Sequence, residues 1–97
     1  MVLITGTSGF VGRRLVERLS PAEFPTIRCL SRHAGTEQSH CTAIQADLLV
    51  PSSYEQALKG VETVVHLAAL TGKAKREAYF AFNTTATQQL LDACRRA

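Results

Sequence analysis

The string Gly6-Thr7-Ser8-Gly9-Phe10-Val11-Gly12 constrains this chain more than any other feature. It stands between a short apolar run, Val2-Leu3-Ile4, and a stretch of mixed apolar and charged residues. A continuous apolar run of that length reads as a strand buried on both faces, as strands of a parallel sheet are. Phe10, Val11, Leu15, Val16 and Leu19 then recur at helical spacing, with Arg13, Arg14, Glu17 and Arg18 between them. This predicts an amphipathic helix that ends near Ser20-Pro21. Three glycines at a strand-to-helix bend each answer a different demand. The first permits the tight turn, the second removes a Cβ where the backbone must approach something, and the third lets the helix pack closely.

The rest of the chain alternates in the same way. Ile27 to Leu30 predicts a second strand, Ala34 to His40 is polar and turn-like, and Thr42 to Ala46 predicts a third strand closed by Asp47. Pro51-Ser52-Ser53-Tyr54-Glu55-Gln56 predicts a helix start, because Ser52 with Glu55 or Ser53 with Gln56 satisfies a capping box. Gly60 would stop that helix. Val61 to Leu67 predicts a fourth strand, and from about Tyr79 a helix carries Phe82, Ala86, Leu90, Ala93 and Ala97 on one face. Strands alternating with helices argue for an α/β fold with a doubly wound parallel sheet, here about four strands with helices on both faces.

At such a bend the amides of Ser8 to Val11 would be unpaired donors at a helix N-terminus, where the helix dipole also favours an anion. The spacing therefore predicts a Rossmann fold that binds the pyrophosphate of a dinucleotide. A P-loop is excluded, since no Gly-Lys-Ser/Thr follows. If the glycines served only helix–strand packing, no ligand would be implied.

Thr5-Gly6-x-x-Gly9-Phe10-Val11-Gly12 resembles the TGxxGxxG motif of the extended and atypical short-chain dehydrogenases/reductases, the NAD-dependent epimerase/dehydratase family. Asp47-Leu48, Val64-Val65-His66-Leu67-Ala68-Ala69 and the stretch from Asn83 to Ala93 resemble three later signatures of that family, in the same order. The resemblance spans essentially all 97 residues but only the first half or less of a typical member. It implies cofactor contacts from Gly6, Ser8, Gly9, Phe10, Val11 and Gly12. It implies that Asp47 accepts from the adenine amino group beside the Leu48 amide. Leu67, Ala68 and Ala69 would leave room for a ribose, and Asn83 would brace the site from the long helix. Plainer roles compete at each position: a turn-capping Asp47, alanines that merely pack, an Asn83 that caps locally. His66 reads as a packed strand residue rather than a catalyst.

NAD-selective sites place an acid about 20 residues past the glycines to bind the ribose 2′-hydroxyl. Here the second strand ends Leu30-Ser31-Arg32-His33, without one. Arg32 offers a planar fork to a 2′-phosphate, and Ser31 a hydroxyl, so NADP is expected over NAD. Arg28 lies too early on the strand for that role. The family's Tyr-x-x-x-Lys catalytic pair is absent: Leu58 stands four residues after Tyr54, and Asn83 four after Tyr79. No catalytic residue is expected within residues 1–97. They read as the N-terminal cofactor-binding portion of an epimerase, dehydratase or reductase acting on a carbonyl or hydroxyl substrate such as a nucleotide sugar, with substrate bound mainly downstream. The alternative is a non-catalytic NADP-sensing module, and a third reading is a Rossmann protein for another adenine nucleotide.

The net charge of +3 and the absence of Trp give no basic run interleaved with aromatics, so no nucleic-acid partner is expected. No apolar run suggests a signal peptide or membrane span. Cys29, Cys41 and Cys94 are an odd count without CxxC spacing, which predicts neither disulfide nor metal site and a cytoplasmic setting. The fourth strand would lie exposed as an apolar edge, predicting self-association and a homo-oligomer among the partners.

Overall fold

The computed structural model describes residues 1–32, 41–70 and 74–97. Ala34 to His40, read as turn-like, therefore lies outside the described residues. Four strands form one parallel sheet: β1 (Val2–Thr5), β2 (Ile27–Ser31), β3 (Cys41–Gln45) and β4 (Thr63–His66). Their spatial order is β3-β2-β1-β4. The chain thus runs outward from β1 on one side and returns to open the other. The strand order reverses between β1 and β4, and in such sheets ligands bind at the carboxyl ends beside that reversal.

The apolar runs are continuous because both faces are covered. Leu3, Leu30 and the half-buried Val64 pack on one face with Tyr54, Leu58, Ala86, Leu90 and Ala93. Ile4, Cys29 and Val65 pack on the other with Val16, Leu15 and Leu19 of helix α1 (Phe10–Arg18). Neighbouring residues of one strand point to opposite faces, so each strand serves two cores. The face of Leu3 and Leu30 is covered by one long helix: α2 (Arg76–Phe80), a wide π-turn at Ala81–Thr85, and α3 (Ala86–Arg96).

Four expectations need correction. Phe10 and Val11 do not join the buried stripe of α1; Phe10 is 79% exposed and stacks under the Arg14 guanidinium, 5.8 Å from its ring centre. They occupy the helix's first turn, which projects beyond the sheet. The helix expected after Pro51 is instead two 3₁₀ turns, Pro51–Ser53 and Glu55–Leu58. Ser53 does not cap: its Oγ donates toward the carbonyls of Val50 (2.6 Å) and Asp47 (2.9 Å) and accepts from the Asp47 amide (3.0 Å). A hydroxyl that bonds backward offers the chain an alternative to the helix it was expected to start. Ala97 is exposed rather than part of the apolar face of the long helix. Finally, Cys29 and Cys41 are joined in a disulfide, with Cα atoms 6.2 Å apart. The β2–β3 register pairs Cys29 with Ala43 and Ile27 with Cys41, which puts both cysteines on one face. Sequence spacing does not reveal that register, and the cysteine argument for a reducing compartment loses its support. Gly60 ends the second 3₁₀ segment at φ +77°, as its position predicts.

Candidate functional site

A groove of about 220 Å³ opens at the carboxyl ends of all four strands. Its floor and walls come from Gly6, Ser8 and Gly9 after β1, from Leu30, Ser31 and Arg32 at the end of β2, and from Ala46 and Leu48 after β3. Leu67, Ala68 and Ala69 after β4 and Phe82 of the long helix complete it.

The three glycines separate by what surrounds them. Gly6 has φ +78°, and a Cβ there would sit 2.6 Å from the Ala68 amide nitrogen. A Cβ on Gly12 would lie 2.1 Å from the Gly6 carbonyl oxygen. Both positions are therefore closed by the protein's own backbone. Gly9 is different: its nearest obstacle would be the Gly6 oxygen at 3.5 Å, ordinary contact. Nothing within the described residues excludes a side chain at Gly9, yet it faces the groove.

Helix α1 begins at that point. Gly9 is its N-cap, no side chain caps it, and its first turn carries no acid. The first helical bond is from Arg13 N–H to Gly9 O, 3.0 Å. The Gly9 amide is already tied to the Gly6 carbonyl at 3.2 Å, while in this bend the amides of Ser8, Phe10, Val11 and Gly12 have no hydrogen-bond partner among the described residues. Of the expected set, Ser8 to Val11, only Gly9 is thus taken. Unpaired amides and the positive end of a helix dipole together favour an anion.

The opposite wall is held by polar side chains. Thr5 Oγ1 accepts from the amides of Leu67 and Ala68, each at 3.1 Å. His66 bridges Thr5 through Nδ1 (2.6 Å) and Thr87 through Nε2 (3.2 Å), and burial pushes its imidazole below the ordinary histidine pKa. Asn83 accepts from the Leu70 amide (2.8 Å) and donates to the Leu70 carbonyl (3.0 Å).

Of the residues expected in the site, Gly6, Ser8, Gly9, Arg32, Leu48, Leu67, Ala68 and Ala69 line the groove. Phe10 lines a shallower hollow with Ser8, Gly9, Arg13, Arg14 and Glu17. Val11 and Gly12 line neither, and only their amides are at hand. Asp47 does not line the groove; its Oδ1 accepts from Leu49 N at 2.9 Å, closing a turn. Asn83 braces the wall from behind rather than facing the groove. Arg28 donates to the carbonyls of Ala57 and Lys59, 2.6 Å each, away from the groove. Leu30, Ala46 and Phe82 were not anticipated as lining. The first two follow from the rule that such grooves collect strand ends; Phe82 reads as core by spacing, but it lies in the π-turn with Arg32 stacked 5.9 Å from its ring centre.

The profile of the NAD dependent epimerase/dehydratase family matches residues 2–97. Among curated proteins, the chain is 31% identical over 94 residues to 2-alkyl-3-oxoalkanoate reductase of Shewanella oneidensis, covering 95% of this chain and 24% of that protein. It is 30% identical over 95 residues to the decarboxylating sterol-4-alpha-carboxylate 3-dehydrogenase of Mus musculus, covering 97% and 26%. The chain thus spans about a quarter of the curated relatives it matches. Among solved structures, UDP-glucose 4-epimerase of Thermus thermophilus in complex with NAD superposes with a TM-score of 0.79 at 28% identity, covering 98% of this chain and 33% of that one. A uronate dehydrogenase variant from Agrobacterium tumefaciens complexed with NAD gives a TM-score of 0.84 at 24% identity, covering 98% and 36%, which shows the shared fold. Glycine turn, strand order, groove and family match agree, and the chain belongs to the NAD dependent epimerase/dehydratase family.

Proposed function

We propose that residues 1–97 are the cofactor-binding portion of a longer oxidoreductase of the epimerase, dehydratase or reductase type, with NADP as the preferred nicotinamide dinucleotide. The open side of Gly9 carries this reading. Gly6 and Gly12 are demanded by the fold itself, whereas the missing Cβ at Gly9 serves only what comes from outside. The unpaired amides of Phe10, Val11 and Gly12 give that visitor donors, and a pyrophosphate matches them in charge and acceptors.

At about 220 Å³ the groove is smaller than the roughly 300–1,000 Å³ of a complete small-molecule site, so it would enclose only part of a dinucleotide. Leu48 and Ala46 would flank the adenine end. Ala68 and Ala69 would admit the sugar beside β4. Arg32 follows the end of β2 where an NAD-selective site would hold an acid, and its guanidinium would pair with a 2′-phosphate. The bound nicotinamide would supply hydride chemistry. Neither tyrosine of the chain lines the groove, so proton transfer and substrate contacts belong to residues outside this stretch.

Titration with NADPH, NADH and S-adenosylmethionine tests the reading. The expected order is NADPH over NADH, with no S-adenosylmethionine binding. Gly9→Val should lower both nicotinamide affinities by about tenfold or more while leaving the melting temperature close to unchanged. Arg32→Ala should lower NADPH affinity alone by a similar factor. Unchanged nucleotide affinity in Gly9→Val overturns the site, and equal NADH and NADPH binding overturns the NADP preference.

A further inference from the structure

The hydrogen bonds around His66 fix its proton. Thr5 Oγ1 accepts from the Ala68 amide and shares the Leu67 amide with the Thr5 carbonyl oxygen (3.2 Å), so both N–H groups point at it. Its own hydrogen turns away from them, to His66 Nδ1 2.6 Å away. That nitrogen is then an acceptor, and in a neutral ring the proton sits on Nε2. Nε2–H donates to Thr87 Oγ1 at 3.2 Å, and the Thr87 hydroxyl donates onward to the Asn83 carbonyl at 2.9 Å. The Asn83 side chain in turn clamps both backbone groups of Leu70. A single directed relay thus joins the end of β1, the groove wall after β4 and the long helix.

The relay admits only one protonation state. A proton on Nδ1 would oppose the Thr5 hydroxyl, which cannot turn away without meeting the N–H groups of Leu67 and Ala68 that point at it. The Ala68 amide has no other acceptor among the described residues. Resting on the dinucleotide reading above, we infer that His66 is a positioning residue for the nucleotide: its neutral Nε2–H form holds the Leu67–Ala69 wall in place, and acidification releases the wall and weakens binding.

Burial alone disfavours the charged ring, and among the described residues no charged group on β1, the long helix or β4 contributes to its shift. Two further histidines, His33 and His40, lie outside the described residues, so a non-titrating variant is needed as control.

Two measurements on the chain test the relay. Long-range nitrogen–proton NMR of the imidazoles should show His66 with its proton on Nε2 at neutral pH, and hydrogen exchange should show Ala68 losing protection as that ring protonates while Leu67, held also by the Thr5 carbonyl, keeps its own. NAD, which lacks the 2′-phosphate that would itself titrate near pH 6, is the binding probe. Its affinity should fall progressively as the pH drops below the ordinary histidine range. His66→Asn, which keeps an acceptor near Thr5, should give a flat profile and bind better at neutral pH than His66→Leu. An Nδ1–H ring, pH-independent protection of Ala68, or the same acid slope in His66→Asn overturns the relay. Absent NAD binding at neutral pH with the relay signals intact would instead overturn the nucleotide reading, and with it the binding role of His66.

Discussion

Tyr54 carries a polar tip into an apolar core. It is 1% exposed, yet its hydroxyl has no hydrogen-bond partner among the described residues. Burial, with a smaller contribution from Cys94, pushes its phenol above the ordinary value. The ring fills the core beside Leu3 and Leu30, so the side chain is kept for its bulk while its polar tip is a cost. Tyr54→Phe preserves the ring and removes the unsatisfied group. It should stabilise the fold by about 1 kcal/mol, read as a rise of a few degrees in the thermal midpoint. A fall in the midpoint would mean that the hydroxyl has a partner. Arg28 makes the complementary point: two short bonds to the carbonyls of Ala57 and Lys59 spend its guanidinium on the 3₁₀ segment. Of the five arginines in the first third of the chain, Arg13, Arg14, Arg18, Arg28 and Arg32, Arg28 is therefore not available to a ligand.

At the scale of elements, the turn before α1 is held by backbone contact alone. Because a Cβ on Gly12 would overlap the Gly6 carbonyl and approach Thr7 Cα at 2.8 Å, no side-chain adjustment can relieve it. Gly12→Ala should therefore destabilise the chain by about 1–3 kcal/mol in denaturant unfolding. A loss well below 1 kcal/mol would mean that α1 can slide away from the turn. Elements of this kind were legible from the sequence because several constraints coincide. The four strands fall within one or two residues of their expected places, β1 and β4 through unbroken apolar runs, β2 and β3 in spite of Arg28 and Thr42 within them. The 51–58 segment was not legible, because Ser53 chose backbone acceptors behind it over the amides ahead. The long helix begins at Arg76 rather than near Tyr79, and Phe82 in its π-turn packs against the core, as its spacing predicts, while also lining the groove. Gly9 stood out in the glycine string, but only the surrounding coordinates distinguish it from Gly6 and Gly12. The disulfide stayed hidden because it depends on the register between β2 and β3.

For the molecule as a whole, the same topology that builds the groove leaves two edge strands among the described residues, β3 and the more apolar β4. β4 pairs with β1 on one side, and among the described residues no strand pairs with its other side. Its residues Val64 and Val65 are only half-buried, and Phe80 (63% exposed) and Leu91 add apolar surface on the long helix. An unpaired backbone row beside apolar side chains is a template for pairing with another copy. The 97-residue chain should therefore associate in a concentration-dependent way when light scattering is measured across a dilution series. Thr63 is exposed at the start of this edge, so Thr63→Lys should add charge without disturbing either core and shift the population toward monomer. Nucleotide affinity should not change with it, because the groove lies at the opposite end of the strand. A wild-type chain that stays monomeric at high concentration would show that the β4 edge is protected by its own twist and side chains.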